Sequence, residues 1–184
     1  MTSTRARSKR PDVMSGQVRI LGIDPGSHTT GFGVVDLEHG RLTVVAAGAI
    51  RTGRTDALSE RICRAADSLR DLLKEHSPSE VCLERVFQHI NVHSALVLAH
   101  VRGALMLEIA RAGLEVHEYT ALQVKQAIVG HGHAEKEQVR SMVLRLLAIR
   151  SLPRANDVSD ALAVAICHAH SRVMRHQRSR RGQG

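Results

Sequence analysis

The sequence predicts an α/β domain: a mixed five-stranded sheet flanked by helices. Two observations predict it. Three short β-like runs come first, separated only by turn signals, and such brief connections join antiparallel neighbours. Two further strand-like runs then alternate with segments of helical period, which is the pattern of parallel strands with crossover helices.

The elements follow in order. "QVRILGID", "TGFGVVDL" and "RLTVVAAGAIRT" form an antiparallel meander, with PGSHT and EHG as the intervening turns. In "DALSERICRAADSLRDLLKEHS", Leu58, Ile62, Ala65, Ala66, Leu69, Leu72 and Leu73 repeat at helical spacing, and Pro78 stops the helix. "SEVCLERV" returns as a buried strand. "HSALVLAHVRGALMLEIARAG" is a helix that is apolar nearly all round, with Gly113 as its stop. A helix of that kind must be covered on more than one face, inside the domain or by a second copy of the chain. "LEVHEY" is the last strand, followed by the short helix "TALQVKQAIVG", the polar loop "HGHAEK" and the helix "EKEQVRSMVLRLLAI". Pro153 breaks the chain, and "NDVSDALAVAICHAH" forms a final helix.

Composition narrows the function classes. A chain of 184 residues fits one domain with a proper core. No apolar run approaches the roughly 18 residues of a membrane span, and the basic N-terminus is not followed by a signal-peptide segment. Three scattered cysteines form neither a disulfide framework nor a CxxC metal site, so a reduced, cytoplasmic setting is the default expectation. With no Trp, one Tyr and two Phe, a broad base-stacking platform is excluded. The net charge of +8 resides in the two ends. Residues 1–16 and 171–184 read as basic, disordered tails around a body, 17–170, in which acids and bases balance. Met14 is a second possible start.

Chemistry is concentrated in carboxylates. Asp24 ends an apolar strand against Pro25-Gly26, Glu84 ends another, and Asp157 and Asp160 open the last helix three residues apart on one face. Each has a plain structural explanation: a turn residue for Asp24, an ion pair with Arg85 for Glu84, a helix cap or dipole complement for Asp157 and Asp160. Strand ends and a helix N-terminus are nevertheless where α/β domains place their sites. Four carboxylates converging there would repel one another unless divalent cations intervened. Hard oxygen ligands suit Mg²⁺ or Mn²⁺, and a pair of such ions serves phosphoryl displacement.

"LGIDPGSHTTGFGVV", "LERVF", "QVKQAIVGHGHAEKEQV" and "NDVSDALAVAI", in that order, resemble the RuvC family of Holliday-junction resolvases over residues 17–170. The resemblance implies a ribonuclease-H-like fold, a homodimer, and Mg²⁺-dependent incision of four-way DNA junctions in recombination and repair. Two Mg²⁺ ions per site, with Mn²⁺ as a substitute, would lie on Asp24, Glu84, Asp157 and Asp160 as the catalytic carboxylates. Hydrolysis would leave a 5′-phosphate and a 3′-hydroxyl. Lys125 and Lys136 match lysines near the scissile strand, and Phe87 matches an aromatic that stacks on an unpaired base. Residues 94–112 would form the dimer helix, and a bacterial branch-migration motor, RuvA with RuvB, would be a partner. The N-terminal extension is longer than the family pattern.

Alternative readings are a RuvC-like nuclease acting on structured RNA and a junction-binding protein that does not cut. Four intact carboxylates argue against the second. A sugar-kinase or actin-like ATPase needs a second Asp-x-Gly hairpin, which this sequence lacks. His131 and His133, and His168 and His170, invite a metal reading, but the first pair lies in a glycine loop and the second near a helix end. Their roles are left open by the sequence.

Overall fold

A computed structural model describes residues 16–53, 57–85, 91–152 and 156–181. Five strands form one sheet: β1 (Gln17–Asp24), β2 (Thr29–Glu38), β3 (Arg41–Arg51), β4 (Glu80–Arg85) and β5 (Val116–Thr120). Their order is β3-β2-β1-β4-β5. β1, β2 and β3 pair antiparallel, whereas β4 runs parallel to both β1 and β5. The sheet is thus mixed, with the meander on one side and the crossover strands on the other, as the connection lengths predict. The β2–β3 turn places both His39 and Gly40 at positive φ, the backbone of a tight hairpin whose twist matches its strands.

Alternation along β1 sends Leu21 and Ile23 to one face and Ile20, Gly22 and Asp24 to the other. The first face is covered by α1 (Leu58–His76) and α2 (Val92–Arg111). There Leu21, Ile23, Val81 and Leu83 meet Ala65, Leu69, Val101, Leu105 and Ile109 in one buried cluster. Arg70 of α1 and Arg111 both hold Glu108 of α2, drawing its carboxyl down to about 2. The second face carries α3 (Ala121–Val129), α4 (Lys136–Leu146) and α5 (Asn156–Arg181). α5 lies directly on the strands, and α3 and α4 pack over its outer side, so residues 161–169 are all buried.

α5 sits unusually close to the sheet. A β-carbon on Gly22 would come within 2.3 Å of the Ala161 carbonyl oxygen, and one on Gly31 within 1.9 Å of the Asp157 carbonyl oxygen. Gly31 is the antiparallel partner of Asp24. The absent side chains therefore bring the first turn of α5 against the end of β1. Glycine inside a strand is normally a cost, and here it permits backbone-to-backbone approach.

Three expectations change. The last helix continues through Arg181 rather than ending near residue 170, about three turns further, and Arg172 at the start of that extension reaches back to the Glu80 carboxylate. α2 buries one stripe on the sheet but leaves Val92, Leu96 and Leu107 at least half exposed. This helix is also long and apolar enough to cross a membrane by length and composition, although no uninterrupted apolar run occurs in the sequence. Arg102 and Glu108 interrupt the apolar run, and each lies in an ion pair within the fold, with Glu118 and with Arg70.

Gly31→Ala forces a methyl into the Asp157 carbonyl. Chemical denaturation should show a loss of about 1–3 kcal/mol, the usual cost of overpacking.

Candidate active site

Asp24, Glu84, Asp157 and Asp160 reach one end of the sheet from three elements. Asp24 closes β1 and Glu84 stands near the end of the adjacent parallel strand β4, both on the face that α5 covers. Asp157 and Asp160 occupy the start of α5. Asp157 lies in the first helical turn, one residue inside a helix that begins at Asn156. Glu84 does not pair with Arg85. Arg85 points to the opposite face, where its guanidinium lies 3.7 Å from Glu118.

The turn after Asp24 is held from outside. Arg61 of α1, almost fully buried, donates to the Ser27 carbonyl. Thr52, after β3, donates to the His28 carbonyl through both its backbone N–H and its hydroxyl, at 3.1 Å each. Two segments distant in sequence thus position the loop that carries the first carboxylate.

Lys136, at the first position of α4, places its ammonium 2.9 Å from Asp160. Burial alone would lower the Lys136 pKa, but the Asp160 hydrogen bond and the charges of Asp160, Asp24 and Asp157 raise it overall. Lys125 of α3, Lys136, Glu84 and Asp160 line a cavity of about 180 Å³ with apolar walls from Val124, Val139 and Ala163. α3 is aimed by its N-cap: Thr120, the last residue of β5, accepts from the Gln123 N–H at 3.2 Å, and Gln123 returns a bond to the Thr120 N–H.

The acids outnumber the cations around them, and their ionisation reflects it. Asp24 is pushed up to about 8 by burial, then by the negative charges of Glu84, Asp160 and Asp157, with Lys136 opposing. Glu84 is raised by burial and by Asp160, against Lys136 and Lys125. A carboxylate set of this kind lacks positive charge. Oxygen-only donors fit hard divalent ions such as Mg²⁺ or Mn²⁺, and an ion there would relieve the repulsion.

Other predicted residues lie elsewhere. Phe87 is outside the described residues. His131 and His133 are exposed in the α3–α4 loop. His170 contacts the Ala127 carbonyl at 3.2 Å. His168 is fully buried between Tyr119 and Glu80, toward the opposite end of the sheet from the carboxylate cluster. Sequence reasoning overlooked Gly22, Gly31 and Arg61. Two glycines within one predicted strand, "TGFGVV", were the available signal for close approach; a lone Arg on a helix carries none.

A mixed sheet of this order, with acids converging from β1, β4 and the last helix, defines a ribonuclease-H-like protein. This chain belongs to the RuvC family: residues 20–168 match the family described as crossover junction endodeoxyribonuclease RuvC. Relatives of that description include those of Halorhodospira halophila, 52% identical over 84% of this chain and 91% of its own length, and Burkholderia thailandensis, 49% identical over 83% and 84%. Thermus thermophilus RuvC in complex with a Holliday junction substrate is 32% identical, covering 85% of this chain and 96% of that one, with a TM-score of 0.81. The yeast mitochondrial resolvase Ydc2, at 11% identity and TM-score 0.70, shares the fold.

The raised Asp24 pKa sets a stability trend for the metal-free chain. The folded state holds a proton that the unfolded state has released, so stability falls as pH rises from about 4 toward 8. In EDTA, Asp24→Asn should melt above the wild type, and the gap should widen between roughly pH 5 and pH 8.

Proposed function

We propose that this chain is a divalent-metal-dependent endonuclease that resolves four-way DNA junctions by symmetric incision, acting as a homodimer in the bacterial cytoplasm. The observation that carries the reading is the convergence of Asp24, Glu84, Asp157 and Asp160 beside Lys136, in a member of a metal-dependent nuclease family. Asp24, Glu84, Asp157 and Asp160 hold two Mg²⁺ ions, and Mn²⁺ can replace them. When bound, such ions supply activation of the attacking water and stabilisation of the leaving oxygen, giving a 5′-phosphate and a 3′-hydroxyl.

The chain's own groups do the rest. Asp24, at the end of β1, is followed by a turn that Arg61 and Thr52 anchor, and a bound cation would favour its charged form. Lys125 and Lys136, on the cavity wall, bind the oxygens of the scissile phosphate and offset charge on the transferring group. In the free chain Lys136 rests on Asp160, and a phosphate offers it a second anionic partner at the same place. Phe87 stacks on a base unpaired at the crossover. RuvA with RuvB delivers the junction.

Two strands need two sites. Val92, Leu96, Gly103 and Leu107 fall at spacings of four and seven along the outer face of α2, where no other described residue covers them. This stripe is the dimer contact, and a two-fold axis through it sets the two cavities at symmetric strands.

A mobile synthetic junction and a matched linear duplex, each with Mg²⁺ and with EDTA, test the proposal. Paired nicks on the junction alone, lost in EDTA and in Asp24→Asn while binding survives, support it. Binding without cutting, or preferential cutting of structured RNA, overturns it. Lys136→Ala should lower kcat about 10²-fold with a smaller change in KM, read from steady-state cleavage. Leu96→Asp should give a monomer by light scattering and leave single nicks in place of paired ones.

A further inference from the structure

A second group of metal-ligating side chains lies at the far end of the same strands. Glu80 begins β4, His117 lies in β5 and His168 on α5, with one donor atom from each within 4.8 Å of the others. Glu80 is four residues, or about 13 Å of strand, from Glu84. His168 is eight residues, or about 12 Å of helix, from Asp160. The two groups are therefore separate. We propose that Glu80, His117 and His168 form a structural site for a borderline transition ion such as Zn²⁺, distinct from the Mg²⁺ site of the carboxylate cluster.

The donor set distinguishes it. Two imidazoles and one carboxylate suit Zn²⁺, Co²⁺ or Ni²⁺, whereas Mg²⁺ prefers all-oxygen shells. Two of the three ligands are already oriented by outer partners, as ligands of such ions usually are. Tyr119 Oη lies 2.8 Å from His168 Nδ1, and Arg172 occupies Glu80 Oε1, leaving Oε2 turned to the imidazole at 2.6 Å from His168 Nε2. His117 makes no hydrogen bond to a described residue. Its ring lies 4.5 Å from that of His168, centroid to centroid, at a 32° tilt. A metal site would give that imidazole a ligand role beyond its ring contact with His168.

An ion on His168 Nε2 would replace its contact with Glu80 Oε2, while Nδ1 keeps its 2.8 Å hydrogen bond with Tyr119 Oη. Ligands at about 2.0–2.2 Å from one ion lie within roughly 3.5 Å of each other. The half-exposed His117 must therefore swing inward, and water completes the shell from the solvent side. An ion there ties β4, β5 and α5 together, three elements that carry Glu84, Asp157 and Asp160 and launch α3.

Calorimetric titration of Zn²⁺ into the full chain in excess Mg²⁺, which fills oxygen sites but competes poorly for imidazole, tests the site. One ion per chain with a micromolar or lower Kd is expected. His117→Ala should weaken it about tenfold or more, and Asp24→Asn should leave it unchanged. Saturating Zn²⁺ should also raise the melting midpoint by roughly 5 °C in the wild type and not in His117→Ala. Cu²⁺ bound in the same background should show nitrogen hyperfine coupling that His117→Ala alters. Absence of a saturable site, affinity indifferent to His117→Ala, or coupling unchanged in that variant overturns the proposal and leaves an ion-paired lock.

Discussion

The approach of α5 to β1 and β2 is the contact on which the rest of the molecule depends. Two backbones meet where Gly22 and Gly31 have no side chain, at distances that a single β-carbon would forbid. That contact sets the height of the last helix above the sheet. The height in turn puts Asp157 and Asp160 beside Asp24, rather than a side chain's width away. With one side of α5 on the strands and α3 and α4 over its outer side, residues 161–169 are all buried. Lys125, midway along α3, and Lys136, at the start of α4, then reach the same cavity. Helix seating and the placement of Asp157 and Asp160 are consequences of one steric fact.

The site so assembled is electrostatically costly to the fold. Asp24 is displaced to about 8 because burial and three neighbouring acids disfavour its charge, and Lys136 offsets only part of this. Apart from the Lys136–Asp160 ion pair, the mutual repulsion of these acids opposes folding. The cluster is held in place by apolar clusters on both faces of the sheet, and by polar ties: Arg61 and Thr52 on the turn that follows Asp24, and Glu108 between Arg70 and Arg111 on the other face. Apolar packing on both faces therefore offsets what the acid cluster costs.

The two ends of β4 differ. Glu84 stands in an acid-rich cavity open to a polyanion once cations are present. Glu80, on the same face four residues earlier, is satisfied by Arg172 and His168 and closes the fold. Identical side chains on one strand have different chemistry because the elements opposite them differ.

The sequence by itself determined the elements and their class. The short apolar run of "QVRILGID" and the period of roughly 3.6 in "SERICRAADSLRDLLKEH" reflect local backbone geometry, so meander, crossovers and helices were legible, and motif order carried the family. The four acids were legible as strand-end and helix-start residues. Their convergence was not, since it depends on a helix some 130 residues beyond β1 coming to rest on two glycines. Only tertiary structure decided that Arg85 turns away from Glu84, that Arg61 holds the Asp24 turn, and that the final helix continues to Arg181. It also decided that His168 lies beside Glu80 and His117. These are contacts between residues distant in the chain, and no local spacing encodes them.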